Sequence, residues 1–195
     1  MHPTALPGKQ GIGVLDDSVV GFLDAMAAAG LSQWQICPLG PTGYGDSPYQ
    51  CFSASAGNPY LIDLQVLVEA ELLDSADLNP LNALPAEKID FGQLYTLKWP
   101  LLFKAYDAWE ASGRIFEPYG NFDQFCEDHA DWLEAYARFM ALKDHCGGKA
   151  WWEWPLPIRF LKQARKSSAW QLPEVERVAA AHAFFQYLFF GQWAK

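Results

Sequence analysis

Apolar positions change period along the chain, and the changes mark its elements. Between Asp16 and Gly30 the spacing is helical: Val19, Phe22, Leu23 and Met26 share a face, Asp16, Asp17 and Ser18 offer N-caps, and Gly30 supplies the stop. The helical period is lost at Gln33–Pro38, where Trp34 to Leu39 form a short apolar run centred on Ile36 and Cys37. That length and composition predict a buried strand. A helix turning tightly into a buried strand is a unit of parallel α/β architecture. In such folds, and in barrels above all, the loop leaving the C-terminal end of a strand builds the active site. Residues 39–60 are thereby placed on the catalytic face.

Further on, the pattern becomes almost wholly helical. Leu61 to Leu73 reads as a short extended piece followed by an acidic helical turn, and Asp74 to Lys88 as a Pro- and Asn-broken loop. Leu94, Leu97, Leu101, Leu102 and Ala105 predict a helix over 90–110 with a kink at Pro100. Asn121 with Gln124 three residues on has the form of a capping box. It opens a stripe of Phe122, Phe125, Trp132, Leu133, Tyr136 and Met140 that ends at Gly147-Gly148. Trp151-Trp152-Glu153-Trp154-Pro155 reads as an aromatic elbow, its tryptophans expected in the core. Pro173 opens a last helix that is apolar nearly all round, which predicts burial on two faces.

The loop at 39–60 carries Gly40-Pro41, Gly43, Gly45-Asp46, Ser47-Pro48 and Gly57-Asn58-Pro59, a dense set of turn formers. It also carries Tyr44, Tyr49, Phe52 and Tyr60, too aromatic for a disordered tract. A long loop of this kind in a compact domain is a binding loop.

Composition narrows the ligand. The formal net charge of −9 argues against nucleic acid, whose recognition depends on clustered Lys and Arg. A neutral oligosaccharide is compatible with it. Cys37, Cys51, Cys126 and Cys146 show no metal-type spacing and no signal-peptide pattern precedes them, so reduced thiols and a cytoplasmic location are expected. No apolar run reaches a membrane span, and no cofactor or metal is implied.

The run WQICPLGPTGYGDSPYQCFSASAGNPYLIDL from Trp34 to Leu64 resembles the signature of the amylomaltase (4-α-glucanotransferase, disproportionating enzyme) family, with Cys37 where Leu is more usual. His2-Pro3-Thr4-Ala5-Leu6-Pro7-Gly8 with Gly11-Ile12-Gly13 resembles that family's opening, and Lys98-Trp99-Pro100, Trp154-Pro155 and Phe185 to Phe190 fall in its order. The resemblance implies an α/β fold, a (β/α)8 TIM barrel, of which residues 1–60 are the start. Residues 61–172 would be a mostly helical insertion and 173–195 a helix leading back. It implies donor and acceptor sugars, an α-1,4-glucan or maltooligosaccharide and a glucose or maltooligosaccharide, with no nucleic acid or membrane partner. It also implies substrate contact by Tyr44, Ser47 and Tyr49, with Asp46 beside them and Tyr44 at a secondary glucan site.

Catalysis is another matter. Retaining glycosyl transfer needs two carboxyl groups about 5 to 5.5 Å apart. The family's motifs of the form DHFRG, EDLG and THDN are absent, so no catalytic residue is assigned. A complete barrel takes about 250 residues, so a chain of 195 is expected to be an N-terminal fragment with one or two barrel strands. Within it, Asp46 is expected to cap its loop, Asp63 to cap or pair, and Glu153 to lie on the surface. The rival reading is a catalytically inactive helical sugar-binding or interaction module.

Overall fold

The computed structural model describes residues 1–116 and 118–195. They form two compact units, one of residues 1–120 with 188–195 and the other of residues 121–187.

In the first unit, helix α1 (Asp17–Ala28) starts where its caps require: the Asp16 carboxylate accepts from the Ser18 amide at 2.9 Å. It ends before Gly30, whose φ of 75° only a glycine adopts without cost. None of its residues is fully buried, and Val20 and Leu23 are exposed. The expected packing face is therefore covered only in part, chiefly where Phe22 meets the Trp34 ring at 4.9 Å.

The expected strand at 33–38 is not formed, and the described residues contain no strand at all, only an isolated antiparallel bridge between Thr42 and Cys51. A strand is a pairing state as much as a composition. Residues 33–38 alternate as a strand would, Trp34 and Ile36 half-buried and Gln33 and Gln35 exposed, but no neighbouring ladder satisfies their backbone.

Beyond the loop the chain is helical, as expected, with one correction. The stretch 74–88 is not loop throughout. After α2 (Gln65–Glu69) it carries a 3-10 turn at Ser75–Leu78 and helix α3 (Asn79–Asn82), which bury Leu78 and Leu81. Asp77 accepts from the Asp74 amide and starts the turn. Helix α4 (Phe91–Ala111) is capped by Asp90, runs through Pro100, and buries Leu94, Lys98, Leu102, Ala105, Tyr106 and Trp109.

In the second unit, the single stripe expected after Asn121 divides into α5 (Phe122–Asp128), capped by Asn121 accepting from the Gln124 amide at 2.8 Å, and α6 (Leu133–His145). Short helices α7 (Leu156–Arg159) and α8 (Leu161–Ala164) follow. Ala137, Ala141, Leu142, Trp154, Ile158, Ala164, Trp170, Val175 and Ala179 form its core. Helix α9 (Pro173–Trp193) belongs to the second unit up to Tyr187 and to the first from Leu188. Its residues 184–189 are all buried, as the all-round apolar pattern predicts. Among the described residues no helix is long and apolar enough to cross a membrane.

Candidate functional site

The loop from Leu39 to Asn58 is closed at its base by backbone pairing, the Asn58 amide donating to the Leu39 carbonyl at 2.7 Å. Further out, the Phe52 amide donates to the Pro41 carbonyl at 3.0 Å and Thr42 bridges Cys51. Glycine at 40 allows this closure, since a Cβ there would collide with the Ser53 carbonyl and the Cys51 side chain. Two successive turns make the tip. Asp46 N–H donates to the Gly43 carbonyl at 3.1 Å and Gln50 N–H to the Ser47 carbonyl at 3.0 Å.

These turns present the residues expected to touch ligand. Tyr44 is 104% exposed and Tyr49 78% exposed, while Asp46 and Ser47, between them in the chain, are half-buried. The Asp46 carboxylate accepts from the Thr42 hydroxyl at 3.3 Å, spanning the turn. Partial burial holds the Asp46 carboxyl above its usual pKa, and the Thr42 hydrogen bond offsets this in part. The Cys37 sulfur lies 3.5 Å from the Tyr49 phenol oxygen, and this neighbour raises the Tyr49 pKa. The loop therefore offers two exposed rings and, between them in sequence, two half-buried polar groups.

Directly after the loop, residues 60–65 are held by a buried polar hub that spans distant parts of the sequence. Gln192, near the end of α9, holds both backbone groups of Asp63: its side-chain oxygen accepts from the Asp63 amide at 2.7 Å, and its NH2 donates to the Asp63 carbonyl at 3.0 Å. The Asp63 carboxylate accepts from the Gln10 side chain at 2.6 Å and from the Gln65 amide at 2.9 Å. Gln10 in turn accepts from the Leu64 amide at 3.2 Å. Lys98, fully buried, donates to the Tyr60 carbonyl at 2.8 Å.

Burial is the dominant influence on both charges. It lowers the Lys98 pKa to about 7, against the pull of Asp63, and raises that of Asp63 against its hydrogen bonds and Lys98. Asp63 thus pairs, as expected, instead of facing a ligand. One signal for the hub was legible: Lys98 stands four residues from Leu94 and four from Leu102, inside a buried stripe. A glycine completes the site's root, because a Cβ on Gly57 would overlap the Phe189 ring.

Elsewhere the expectations divide. Glu153 is exposed and accepts from the Ala150 amide at 3.3 Å. Trp154 is 3% exposed, in the core as expected, but Trp151 and Trp152 are exposed and not core. A 3-10 turn at Trp151–Glu153 has about three residues per turn, so neighbouring side chains point roughly 120° apart and cannot all face inward. The described residues contain no cluster of His, Cys, Asp and Glu that could hold a metal ion.

With this geometry in place, comparison with known proteins is direct. The sequence model of the family described as 4-alpha-glucanotransferase, glycoside hydrolase family 77, matches residues 1–195. A 4-alpha-glucanotransferase of Thermus thermophilus is 46% identical over 193 residues, 99% of this chain and 37% of that protein. One of Clostridium butyricum is 40% identical over 194 residues, 99% of this chain and 38% of that protein. The solved structure of an amylomaltase from Streptococcus agalactiae in complex with acarbose superposes with a TM-score of 0.85 at 32% identity, covering 100% of this chain and 38% of that one. The chain thus spans little more than a third of the length of these relatives, and over that span it belongs to the 4-alpha-glucanotransferase family.

Proposed function

We propose that this chain supplies part of the substrate cleft of a 4-alpha-glucanotransferase, with the loop 39–58 holding an α-1,4-glucan or maltooligosaccharide. The observation that carries the reading is the loop itself: two turns expose Tyr44 and Tyr49 on either side of half-buried Asp46 and Ser47 in the sequence. Pyranose rings present C–H faces to aromatic rings and hydroxyls to the groups beside them, and loops of this make-up suit them. The half-buried Asp46 carboxylate, short of water, gains most from a hydroxyl donor. Tyr49 and Ser47 line the principal site in this reading, and Tyr44 a more peripheral one.

The reaction is transfer. An α-1,4 bond of the donor breaks, the glycosyl part is held covalently on a carboxylate, and the 4-hydroxyl of an acceptor sugar, glucose or a maltooligosaccharide, takes it up with retained configuration. The catalytic carboxylates come from outside these 195 residues, since Asp63 is committed to Gln10 and Gln65 and the family's acidic motifs are absent from the sequence. A barrel setting for residues 17–38 is supported by what they leave uncovered: a backbone at 33–38 that joins no ladder, and exposed Val20, Leu23 and Leu31.

The test is incubation of the chain with maltotriose, followed by chromatography and calorimetry. Binding heat without new products is expected. Glucose with longer oligosaccharides would refute the assignment of the acids elsewhere, and absence of any heat would refute the binding loop.

A further inference from the structure

Lys98 and Trp99, consecutive on α4, grip Tyr60 at its two ends. The Lys98 ammonium donates to the Tyr60 carbonyl at 2.8 Å, and the Trp99 indole N–H donates to the Tyr60 phenol oxygen at 3.3 Å. Tyr60 is buried, and its own amide donates to the Asn58 side-chain oxygen at 3.0 Å. Asn58 is the residue whose amide closes the loop onto the Leu39 carbonyl. The charge of the loop tip reaches the phenol as well. Burial lifts the Tyr60 pKa to about 12, the Trp99 hydrogen bond works against this, and the Asp46 carboxylate adds to it. Through Tyr60, then, α4 holds the closure of the loop.

We propose that Lys98 is a positioning residue for glucan binding: its ammonium form holds the Tyr60 peptide, and through Asn58 the closure of the loop, in the shape that takes sugar, and loss of the proton slackens that hold. A neutral donor would satisfy one buried carbonyl, whereas an ammonium taken out of water is costly unless a carboxylate pairs with it. Lys98 is fully buried, its hydrogen bond goes to a carbonyl, and among the described residues it makes no ion pair. Titratable groups displaced in this way gather at functional sites. Burial brings the Lys98 pKa down to about 7 against the pull of Asp63, so the proton exchanges near neutrality. Asp63 is the carboxylate that bears on Lys98, Asp16 bears on Asp63 in turn, and Asp74 and Asp77 are paired with Lys104 further along α4. At the other root of the loop, His2 faces the Pro38 backbone with its pKa lowered, chiefly by burial. Charge-assisted hydrogen bonds are roughly twice as strong as neutral ones, so the protonated form binds sugar more tightly and affinity falls as pH rises through about 7. By linkage, sugar binding takes up protons in the same range. That the ligand is a glucan rests on the function proposed above.

Calorimetric titration of the 195-residue chain with maltoheptaose at about pH 6 and about pH 8, repeated near pH 7 in buffers of different ionisation enthalpy, tests it. Affinity is expected to be about fivefold higher at the lower pH, with net proton uptake near pH 7. Lys98→Met should abolish the uptake and flatten the pH profile, while His2→Gln keeps both. Binding without proton uptake overturns the proposal and leaves the loop reading standing, as does uptake that survives in Lys98→Met or vanishes in His2→Gln. Absence of heat at either pH removes the loop reading and this proposal together. If Lys98→Met does not fold, the sugar-free parent decides: the Asn58, Tyr60 and Leu61 amides are expected to titrate by NMR near pH 7, and amides that stay still across that range overturn the proposal.

Discussion

Replacing Gln192 by leucine removes both hydrogen bonds to the Asp63 peptide while keeping a side chain of similar size. In the parent protein the two bonds measure 2.7 and 3.0 Å, and Gln192 is buried. The substitution leaves one buried amide and one buried carbonyl without those partners, each costing about 1–3 kcal/mol when no water reaches it. Leucine recovers some of this through apolar burial, so the net loss is about 2–4 kcal/mol. For a protein of this size about 1 kcal/mol shifts the midpoint by roughly 2–4 °C, which puts the fall at about 5–15 °C. Urea melts followed by circular dichroism give the free energy. Gln192→Glu serves as the comparison, since it retains the acceptor and loses the donor, and it should also bury a charge. A Gln192→Leu protein within about 0.5 kcal/mol of the parent would refute the hub as the anchor of the loop's root.

Three further outcomes follow from the same geometry. Lys98 is pushed down to about 7 from 10.5, so the unfolded chain binds the proton more tightly. Stability therefore rises with pH from about 7 towards 10.5, by about 2 kcal/mol between pH 7 and 9; Lys98→Met should flatten that rise, and equal slopes would count against it. Gly57→Ala is expected to cost about 1–3 kcal/mol by overpacking against Phe189. Phe189→Leu added to it should recover part of the loss, and strict additivity in melting would contradict the contact. Asn121→Ala removes the cap of α5 and should lower stability by about 1 kcal/mol, whereas an unchanged urea midpoint would show the cap idle.

Much of this architecture was legible because it is local. Asp16, Asp90 and Asn121 announce helix starts through side-chain bonds to amides two or three residues on, and the structure places α1, α4 and α5 accordingly. The apolar run late in the last helix likewise foretold the burial of 184–189. What failed was non-local. Residues 33–38 have the composition of a strand, but their pairing partners cannot be read from those six residues. Trp151, Trp152 and Trp154 looked alike by type, and only the turn geometry separates the buried one from the two exposed. The bond from Gln192 to Asp63 spans 129 residues, beyond any periodic signal. The candidate site was legible as a motif, and its support was not.

The most direct test of the central claim is an amide-resolved NMR titration of the chain with maltotriose. A glucan held by the loop predicts saturable shifts at Gly43, Gly45, Asp46, Ser47, Tyr49 and Gln50 that Tyr49→Ala weakens. A spectrum in which these amides stay still at saturating maltotriose, or move equally in Tyr49→Ala, would contradict it.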